Sequence, residues 1–267
     1  MARRRRLPRT KAAVAIGTLA VSAGALPWIG HGRAAYPRAI AARQGAVSAT
    51  RVVRCSPGPT PTGSATRFLA AVARTPTTAY RSPGGRVVAH FLTSNQDRFR
   101  TVFAVLAARR DAQCVPVWYR VQLPIRPNGT TGWIRARSVA VASVDTEIVV
   151  HVRARRLVLL RGGRVVLATP VSTGAPDTPT PVGRFYVKER LVPADPNGPW
   201  GPAALGTSAY SPVLKTWAEG GPVGIHGTDD PSAIGRAASH GCIRVPNAVM
   251  RRLFALTPAG TPIVITR

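Results

Sequence analysis

Glycine and proline punctuate this 267-residue chain at short intervals, and their spacing constrains the fold more than any other feature. The chain holds 25 Gly and 25 Pro, together nearly a fifth of its residues. Both residues interrupt regular structure, so the runs between them are short. Several of those runs alternate apolar with polar residues, as half-buried strands do. The sequence therefore predicts a mainly β protein rather than a helix bundle.

The charge balance is strongly basic, but the charges are scattered. Lys and Arg number 37 against 10 Asp and Glu, which gives a formal net charge of +27. Apart from Arg3–Arg6, the cations form no stripe with aromatic platforms, so no nucleic-acid site is predicted. A surface of this sign attracts polyanions, and an anionic cell wall is one such partner.

The N-terminus has the pattern of an export signal. Residues 1–11 carry six cations and no acid, and residues 12–26 follow without a charge. This apolar run is shorter than the roughly 20 residues of a stable membrane span. Residues 1–26 are therefore predicted to be a signal peptide. The alternative is an uncleaved signal anchor, which alone would hold the protein at a membrane. Either way, the protein is expected to be exported to the cell envelope.

Residues 27–75 are predicted to be a Pro-, Ala- and Arg-rich linker, and residues 76–144 a small all-β domain. Its five or so short strands suggest a small barrel. The segment 118–134, WYRVQLPIRPNGTTGWI, resembles the bacterial SH3-like modules of cell-wall proteins, which have a Trp-bearing strand, a turn and Gly-Trp-Ile. Trp118 and Trp133 either face a ligand groove or fill the core.

Residues 146–267 are predicted to be a second β domain with one short helix near its end. Asn247 is suited to cap a helix over 248–257, and Gly162-Gly163 marks a hairpin. Across both domains, strands are predicted over Thr77–Arg81, Arg86–Leu92, Thr101–Ala107, Val115–Leu123, Glu147–Val152, Arg156–Leu160, Val165–Ser172, Arg184–Lys188 and Pro262–Thr266.

The chain has three cysteines, and an exported protein meets oxidising conditions. An odd count leaves one thiol over. Cys55 and Cys114 both lie in the N-terminal half, whereas Cys242 stands alone in a His-Gly context. We predict that Cys55 pairs with Cys114 and that Cys242 stays free.

The densest group of reactive side chains lies in residues 224–247, GIHGTDDPSAIGRAASHGCIRVPN. His226 and His240 both precede Cys242 in this segment. A thiol is a useful nucleophile only as the thiolate, so it needs a nearby base, which a His brought back by the loop can supply. Backbone N–H groups around Gly241 and Cys242 can stabilise an oxyanion. The pattern indicates acyl-transfer chemistry.

Three other interpretations of these residues stay open. Cys242 can be a buried structural thiol. His226, His240 and Cys242 can together bind zinc, although their spacing is not a common zinc pattern. Asp229 and Asp230 can partner His226, or they can serve a turn. No metal site is predicted.

The same segment resembles the signature of L,D-transpeptidase (YkuD-like) catalytic domains. That signature is His-Gly, a variable loop, Ser/Thr-His-Gly-Cys-Ile/Val-Arg and a later Asn. It stands here as His226-Gly227, Ser239-His240-Gly241-Cys242-Ile243-Arg244 and Asn247. The family's upstream Thr-Pro-x-Pro-x-Gly loop also matches, at 178–183. The resemblance covers about 146–266 and implies an L,D-transpeptidase-type β-sandwich or barrel.

The resemblance also implies a mechanism. Cys242 attacks the carbonyl after the L-centre of a tetrapeptide stem, expels D-Ala and forms a thioester. An amine of a neighbouring stem then resolves that thioester. His226 is the general base, and the Gly227 carbonyl orients its ring. The residues implied to bind substrate or shape the loop are Ser239, His240, Arg244 and Asn247.

The sequence leaves two other functions open. Water can resolve the same thioester, which would make the protein an L,D-carboxypeptidase or a cysteine peptidase. The second alternative is a catalytically silent wall-binding protein. The resemblance further implies peptidoglycan stem peptides as partners, acylation of Cys242 by carbapenems, and no cofactor.

Overall fold

The computed structural model describes residues 58–95, 97–215 and 221–267. The predicted signal over 1–26, much of the predicted linker and Cys55 lie outside the described residues. No helix within the described ranges is long and apolar enough to cross a membrane. Strands dominate these ranges, so the prediction of a mainly β protein is confirmed.

The first sheet contains eight strands, each antiparallel to its neighbours. They are β1 (Thr60–Pro61), β2 (Phe68–Ala73), β3 (Thr77–Tyr80), β4 (Val87–Phe91), β5 (Val102–Arg110), β6 (Pro116–Gln122), β7 (Thr131–Arg135) and β8 (Val139–Val144). Their order across the sheet is β4-β3-β7-β6-β5-β2-β8, with β1 paired to β5. The strands predicted in this part of the chain are confirmed, with small shifts at their ends.

The first sheet begins before the predicted domain boundary at residue 76. Strands β1 and β2 lie in the range predicted as linker, and β2 is an inner strand, because β5 and β8 pair with its two edges. Ala70, Ala71 and Ala73 of β2 are buried. Ala has a weak preference for strands, so this run carries little strand signal in the sequence. The SH3-like character of residues 76–144 stays a prediction.

The second sheet also contains eight strands, and three of them, β14, β15 and β17, are missing from the sequence prediction. Its strands are β9 (Thr146–His151), β10 (Arg156–Arg161), β11 (Arg164–Pro170), β13 (Gly183–Leu191), β14 (Ala204–Tyr210), β15 (Pro222–His226), β17 (Ile243–Arg244) and β18 (Pro262–Thr266). Their order is β11-β10-β9-β18-β13-β14-β15-β17. A separate parallel pair joins β12 (Thr173–Gly174) to β16 (Ala237–Ser239).

One α-helix, α1 (Asn247–Leu256), buries Met250 and Leu253 in the core of the second sheet. The predicted helix is confirmed, but the prediction that Asn247 caps it is wrong, because Pro246 occupies the N-cap position. The Asn247 side-chain oxygen instead accepts a hydrogen bond from the Thr228 N–H at 2.8 Å. Asn247 therefore ties the start of α1 to the loop after β15.

Hydrogen bonds join the two sheets. The buried Tyr186 hydroxyl donates to the Val102 carbonyl at 3.0 Å, and burial raises the pKa of that hydroxyl well above its usual range. The Gln122 amide donates to the Arg184 carbonyl at 2.7 Å. These contacts hold the first sheet against strand β13 of the second.

The interface between the sheets can be tested at Asn128, which lies in the turn between β6 and β7. Its side chain donates to the Tyr210 carbonyl at 2.8 Å and accepts from the Tyr210 N–H at 2.9 Å. We expect Asn128→Ala to lower the free energy of unfolding by about 1–3 kcal/mol, because two hydrogen bonds are lost. Urea denaturation measures the change. Asn197→Ala, on an exposed loop, is the control, with an expected change within about 0.5 kcal/mol. Equal stability of the two variants would contradict the assignment.

Candidate active site

Parallel pairing of β15 with β17 brings His226 and Cys242 to the same place. Ile225 lies opposite Ile243, and His226 lies opposite Arg244. Paired residues project to the same face of a sheet, and so do residues two apart on one strand. Cys242 precedes Arg244 by two residues, so its side chain is on the His226 face. The two residues singled out as nucleophile and base are therefore neighbours on one surface.

The Cys242 sulfur lies against the backbone of β15. It accepts a hydrogen bond from the Gly224 N–H at 3.4 Å. Cys242 is half-buried and free. Burial raises the pKa of its thiol above the ordinary 9.0, while the Gly224 N–H and the Arg244 charge act to lower it. The resting group at neutral pH is therefore a thiol.

His226 is held as a neutral imidazole. The residue is 5% exposed, and burial lowers its pKa from 6.5 to about 4, although the Gly227 carbonyl acts to raise it. The ring Nδ1 donates to that carbonyl at 2.6 Å. Because a carbonyl only accepts, Nδ1 carries the proton and Nε2 keeps its lone pair. Nε2 is therefore the basic atom of the site.

Trp200 and two glycines set the position of this ring. The Trp200 ring lies 4.7 Å from the His226 ring, centroid to centroid. Gly201 and Gly227 pack backbone against backbone, and a Cβ added to either would overlap the other residue and the Asn247 side chain. Asn247 thus shapes the loop that holds the base. Nothing in the sequence singles out Trp200 for this contact, because a lone Trp in a Pro- and Gly-rich loop does not reveal its partner.

Thr180, in the 178–183 loop, supports the turn that carries the nucleophile. Its hydroxyl donates to the Gly241 carbonyl at 2.9 Å and accepts from the Gly174 N–H at 2.8 Å. The residue before Cys242 is thereby tied to β12. The sequence identifies this loop by its Thr-Pro-x-Pro-x-Gly pattern, and the structure shows which hydrogen bonds the pattern supplies.

Ser239 supports the same turn from inside. It is buried, and its hydroxyl donates to the Cys242 carbonyl at 2.5 Å and accepts from the Gly241 N–H at 3.2 Å. Gly241 has a φ of +108°, where a side chain is strained. Because the Gly241 N–H is already bonded to Ser239, it is not free to stabilise an oxyanion in this arrangement. The Cys242 N–H is the other donor that the sequence suggested.

Three further polar residues of the segment are exposed. They are His240, Asp229 and Asp230. Asp230 accepts from the Ser232 hydroxyl at 2.5 Å and from the Ser232 N–H at 3.0 Å, which caps a short 3-10 helix, and these bonds lower the pKa of its carboxyl. Asp230 therefore serves a turn, while the charge of Asp229 acts to raise the pKa of His226. Within the described ranges, no group of three or more His, Cys, Asp or Glu side chains is placed to hold a metal ion.

Cys114 is disulfide-bonded, and Cys242 is free. The predicted partner of Cys114, Cys55, lies outside the described residues, so that pairing stays a prediction.

Trp133 is almost fully buried. Trp118 meets the Tyr80 ring edge-on at 5.7 Å and carries the Arg135 guanidinium over its face at 4.6 Å. Both Trp side chains thus have packing partners inside the first sheet.

The state of the thiol can be tested by alkylation. We expect Cys242 to react slowly with iodoacetamide at neutral pH and faster as the pH rises, with a midpoint above 9.0, because burial holds the pKa of the thiol up. Peptide mass spectrometry after reaction between about pH 6 and 10 measures the midpoint. His226→Gln should leave it unchanged, since the resting imidazole carries no charge. A midpoint near neutrality that this substitution abolishes would contradict a neutral pair.

The support given by Thr180 can be tested with two variants of similar shape. Thr180→Val leaves the buried Gly174 N–H and Gly241 carbonyl without their partner, so we expect a loss of about 2–4 kcal/mol in the free energy of unfolding. Thr180→Ser keeps the hydroxyl and should lose less than half as much. Thermal and urea unfolding measure both. Equal losses would show that the methyl group matters more than the hydrogen bonds.

Comparison with known proteins gives matches to one family. Residues 145–265 match the YkuD family of L,D-transpeptidase catalytic domains. The chain is 34% identical to the putative L,D-transpeptidase YkuD of Bacillus subtilis over 125 residues, which span 47% of this chain and 68% of that protein. It is 30% identical to the putative L,D-transpeptidase YqjB of B. subtilis over 132 residues, which span 46% of this chain and 72% of that protein.

A solved structure gives a further match. It is the catalytic domain of the E. faecium L,D-transpeptidase acylated by ertapenem, at 29% identity, with 45% of this chain and 96% of that chain covered and a TM-score of 0.34. The two B. subtilis relatives are covered over more than two thirds of their length at 30% identity or above. The chain therefore belongs to the YkuD L,D-transpeptidase family.

Proposed function

We propose that the protein is a peptidoglycan L,D-transpeptidase that uses Cys242 as its nucleophile. The observation that carries this proposal is the placement of Cys242 and His226 on one face of the second sheet, with the Nδ1 proton of His226 fixed by the Gly227 carbonyl. A base with a fixed tautomer beside a thiol is the arrangement that covalent acyl transfer needs. Family membership supplies the substrate class, a tetrapeptide stem.

The first half of the reaction starts from neutral groups. As the Cys242 sulfur attacks the carbonyl after the L-centre, the thiol proton passes to Nε2 of His226. The tetrahedral intermediate then collapses, the C–N bond to D-Ala breaks, and His226 returns the proton to the leaving amine. The products are a Cys242 thioester and free D-Ala. The Cys242 N–H is the proposed donor to the oxyanion of the intermediate.

The second half repeats these steps in reverse order. An amine of a neighbouring stem attacks the thioester carbonyl, and His226 accepts its proton. The C–S bond breaks, and the sulfur recovers its proton from His226. An amide crosslink forms and the enzyme is regenerated. No nucleotide is consumed, because the acyl bond energy of the first peptide is conserved in the thioester.

Several further features support an action on the cell wall. Arg244 is half-buried on β17 beside the catalytic pair, and its planar guanidinium suits a stem carboxylate. The net charge of +27 favours an anionic wall. The basic and apolar residues over 1–26 suit export. We also propose that carbapenems acylate Cys242, as ertapenem acylates the E. faecium enzyme.

The proposal is tested by intact-mass spectrometry of the protein with disaccharide-tetrapeptide. We expect loss of D-Ala, a covalent adduct on Cys242 and a crosslinked dimer of the stems. Cys242→Ala should give none of these, and His226→Gln should lower the rate by about 100-fold or more, since a general base is removed.

Other outcomes would replace the proposal. Loss of D-Ala that yields only tripeptide, even with added acceptor amine, would identify an L,D-carboxypeptidase. Folded protein with a free thiol that forms no adduct would identify a wall-binding protein. If the Cys242→Ala variant were as active as the wild-type protein, the nucleophile would have to be another residue.

A further inference from the structure

A cavity of about 440 Å³ lies between the two sheets and has no role in the reaction described above. The second sheet contributes Lys188, Glu189 and Pro222 to its lining, strand β4 contributes His90, and the loop between β4 and β5 contributes Asn95, Asp97 and Arg100. This volume is within the range of binding sites for small molecules and side chains. The hydrogen bond from the Tyr186 hydroxyl to the carbonyl of Val102, which lines the cavity, joins the two sheets beside it.

The cavity opens on the same face of the second sheet as the catalytic pair. Residues two apart on a strand share a face, so Pro222 and Gly224 face the same way as His226. Across the strands, Glu189 lies opposite Gly206, and Gly206 lies opposite Gly224. Gly224 is the residue whose N–H contacts the Cys242 sulfur. One row across the sheet therefore runs from Glu189 to the nucleophile.

The two glycines in this row, Gly206 and Gly224, have no side chain, so no side chain of this row separates Glu189 from the nucleophile. A Cβ on Gly206 would overlap the Glu189 side chain, which therefore extends across β14 toward β15. A Cβ on Gly224 would lie 3.8 Å from the His226 ring and 3.9 Å from the Trp200 ring. With strands spaced about 4.8 Å apart, the carboxylate is on the order of 10 Å from Cys242. A side chain of a stem bound at Cys242 can span that distance.

Glu189 is an acidic group with capacity to bind a ligand. The residue is 7% exposed, its Oε1 lies 3.0 Å from the Lys188 ammonium, and its Oε2 accepts from the Asn95 amide. A carboxylate has about four acceptor positions, so about two remain. A β-bulge between Val187 and Glu189 lets the adjacent side chains of Lys188 and Glu189 meet. Buried charge pairs add little stability, so stability alone does not explain this one.

We propose that this cavity is a subsite for the ammonium-bearing side chain of a peptidoglycan stem, with the Glu189 carboxylate as its recognition group. The proposal rests on the proposed function. The stem is the donor, bound as the Cys242 thioester, because the amine of an acceptor has to reach the thioester carbonyl and so cannot occupy a cavity on the order of 10 Å away. Asn95, in the loop between β4 and β5, orients the carboxylate, so that loop forms part of the binding site.

The donor arm of the test uses two synthetic tetrapeptide stems with L-Lys at the third position, one with a free Nε amine and one acetylated. The initial rate of D-Ala release at subsaturating peptide is measured for wild type and Glu189→Gln. If the donor occupies the cavity, wild type prefers the free amine, and Glu189→Gln loses about tenfold or more on that peptide alone, since a hydrogen bond between charged groups is removed.

The acceptor arm uses the acetylated tetrapeptide as a saturating donor and titrates a free-amine tripeptide as acceptor. Because the attacking amine of the tripeptide lies at Cys242, we expect Glu189→Gln to leave its KM unchanged. A KM raised by about tenfold or more with D-Ala release unchanged would overturn the assignment of the cavity to the donor. Glu147→Gln, the same chemical change on β9 of the same sheet, is the matched control and should match wild type in both arms.

A change in the donor arm alone supports the subsite. Glu189→Gln equal to Glu147→Gln in both arms overturns it. Lys188→Gln provides a second variant if Glu189→Gln does not fold. Because it removes the competing ammonium, it should increase the preference for the free-amine peptide over the acetylated peptide. An unchanged preference overturns the proposal. Wild type that releases no D-Ala from either peptide would instead overturn the proposed function, which is a distinct result.

Discussion

The parallel pairing of β15 with the two-residue strand β17 is the contact on which the site depends. The Val245 N–H donates to the His226 carbonyl at 2.8 Å, and on the other edge of β17 the backbones of Arg244 and Ser172 exchange hydrogen bonds of 2.9 and 3.0 Å. So short a strand has little register preference of its own, and these neighbours fix it. A slip by one residue would turn Cys242 to the opposite face, away from His226. Thr180 and Ser239 hold the preceding turn so that this slip does not occur.

Burial decides the chemistry that these two side chains can perform. It raises the pKa of Cys242 and lowers the pKa of His226 to about 4, so both shifts favour neutral groups. A preformed thiolate–imidazolium pair is therefore disfavoured, and proton transfer has to accompany attack on the substrate. Such a thiol is shielded from oxidation and from chance electrophiles, because those reactions require the thiolate. The site gains full nucleophilicity only when a carbonyl is positioned against the sulfur.

Local patterns in the sequence predicted most strands, helix α1, the Gly162-Gly163 hairpin and the motif around Cys242, because each depends on neighbouring residues. The strands β14 and β15 were missed, since ALGTSAY and PVGIH are rich in small residues that show no clear alternation. The Trp200 contact with His226 and the row from Glu189 to Cys242 depend on pairing between distant strands, which no short segment encodes. The N-cap assignment of Asn247 failed for a related reason. A capping side chain and a side chain that bonds to a distant loop have the same local sequence, and only the tertiary contact with Thr228 distinguishes them.

The charges on either side of the nucleophile favour one orientation of a stem bound across the strands. Arg244 lies on β17, at one edge of the second sheet, and Glu189 lies on β13, two strands beyond β15 on the other side. A stem that crosses the strands at Cys242 therefore meets a cation toward one end and an anion toward the other. A reversed stem would place its carboxylate toward Glu189 and its ammonium toward Arg244, and like charges in a partly buried site are costly. The proposed discrimination also uses the loop between β4 and β5, because its Asn95 amide donates to Glu189 at the anionic end.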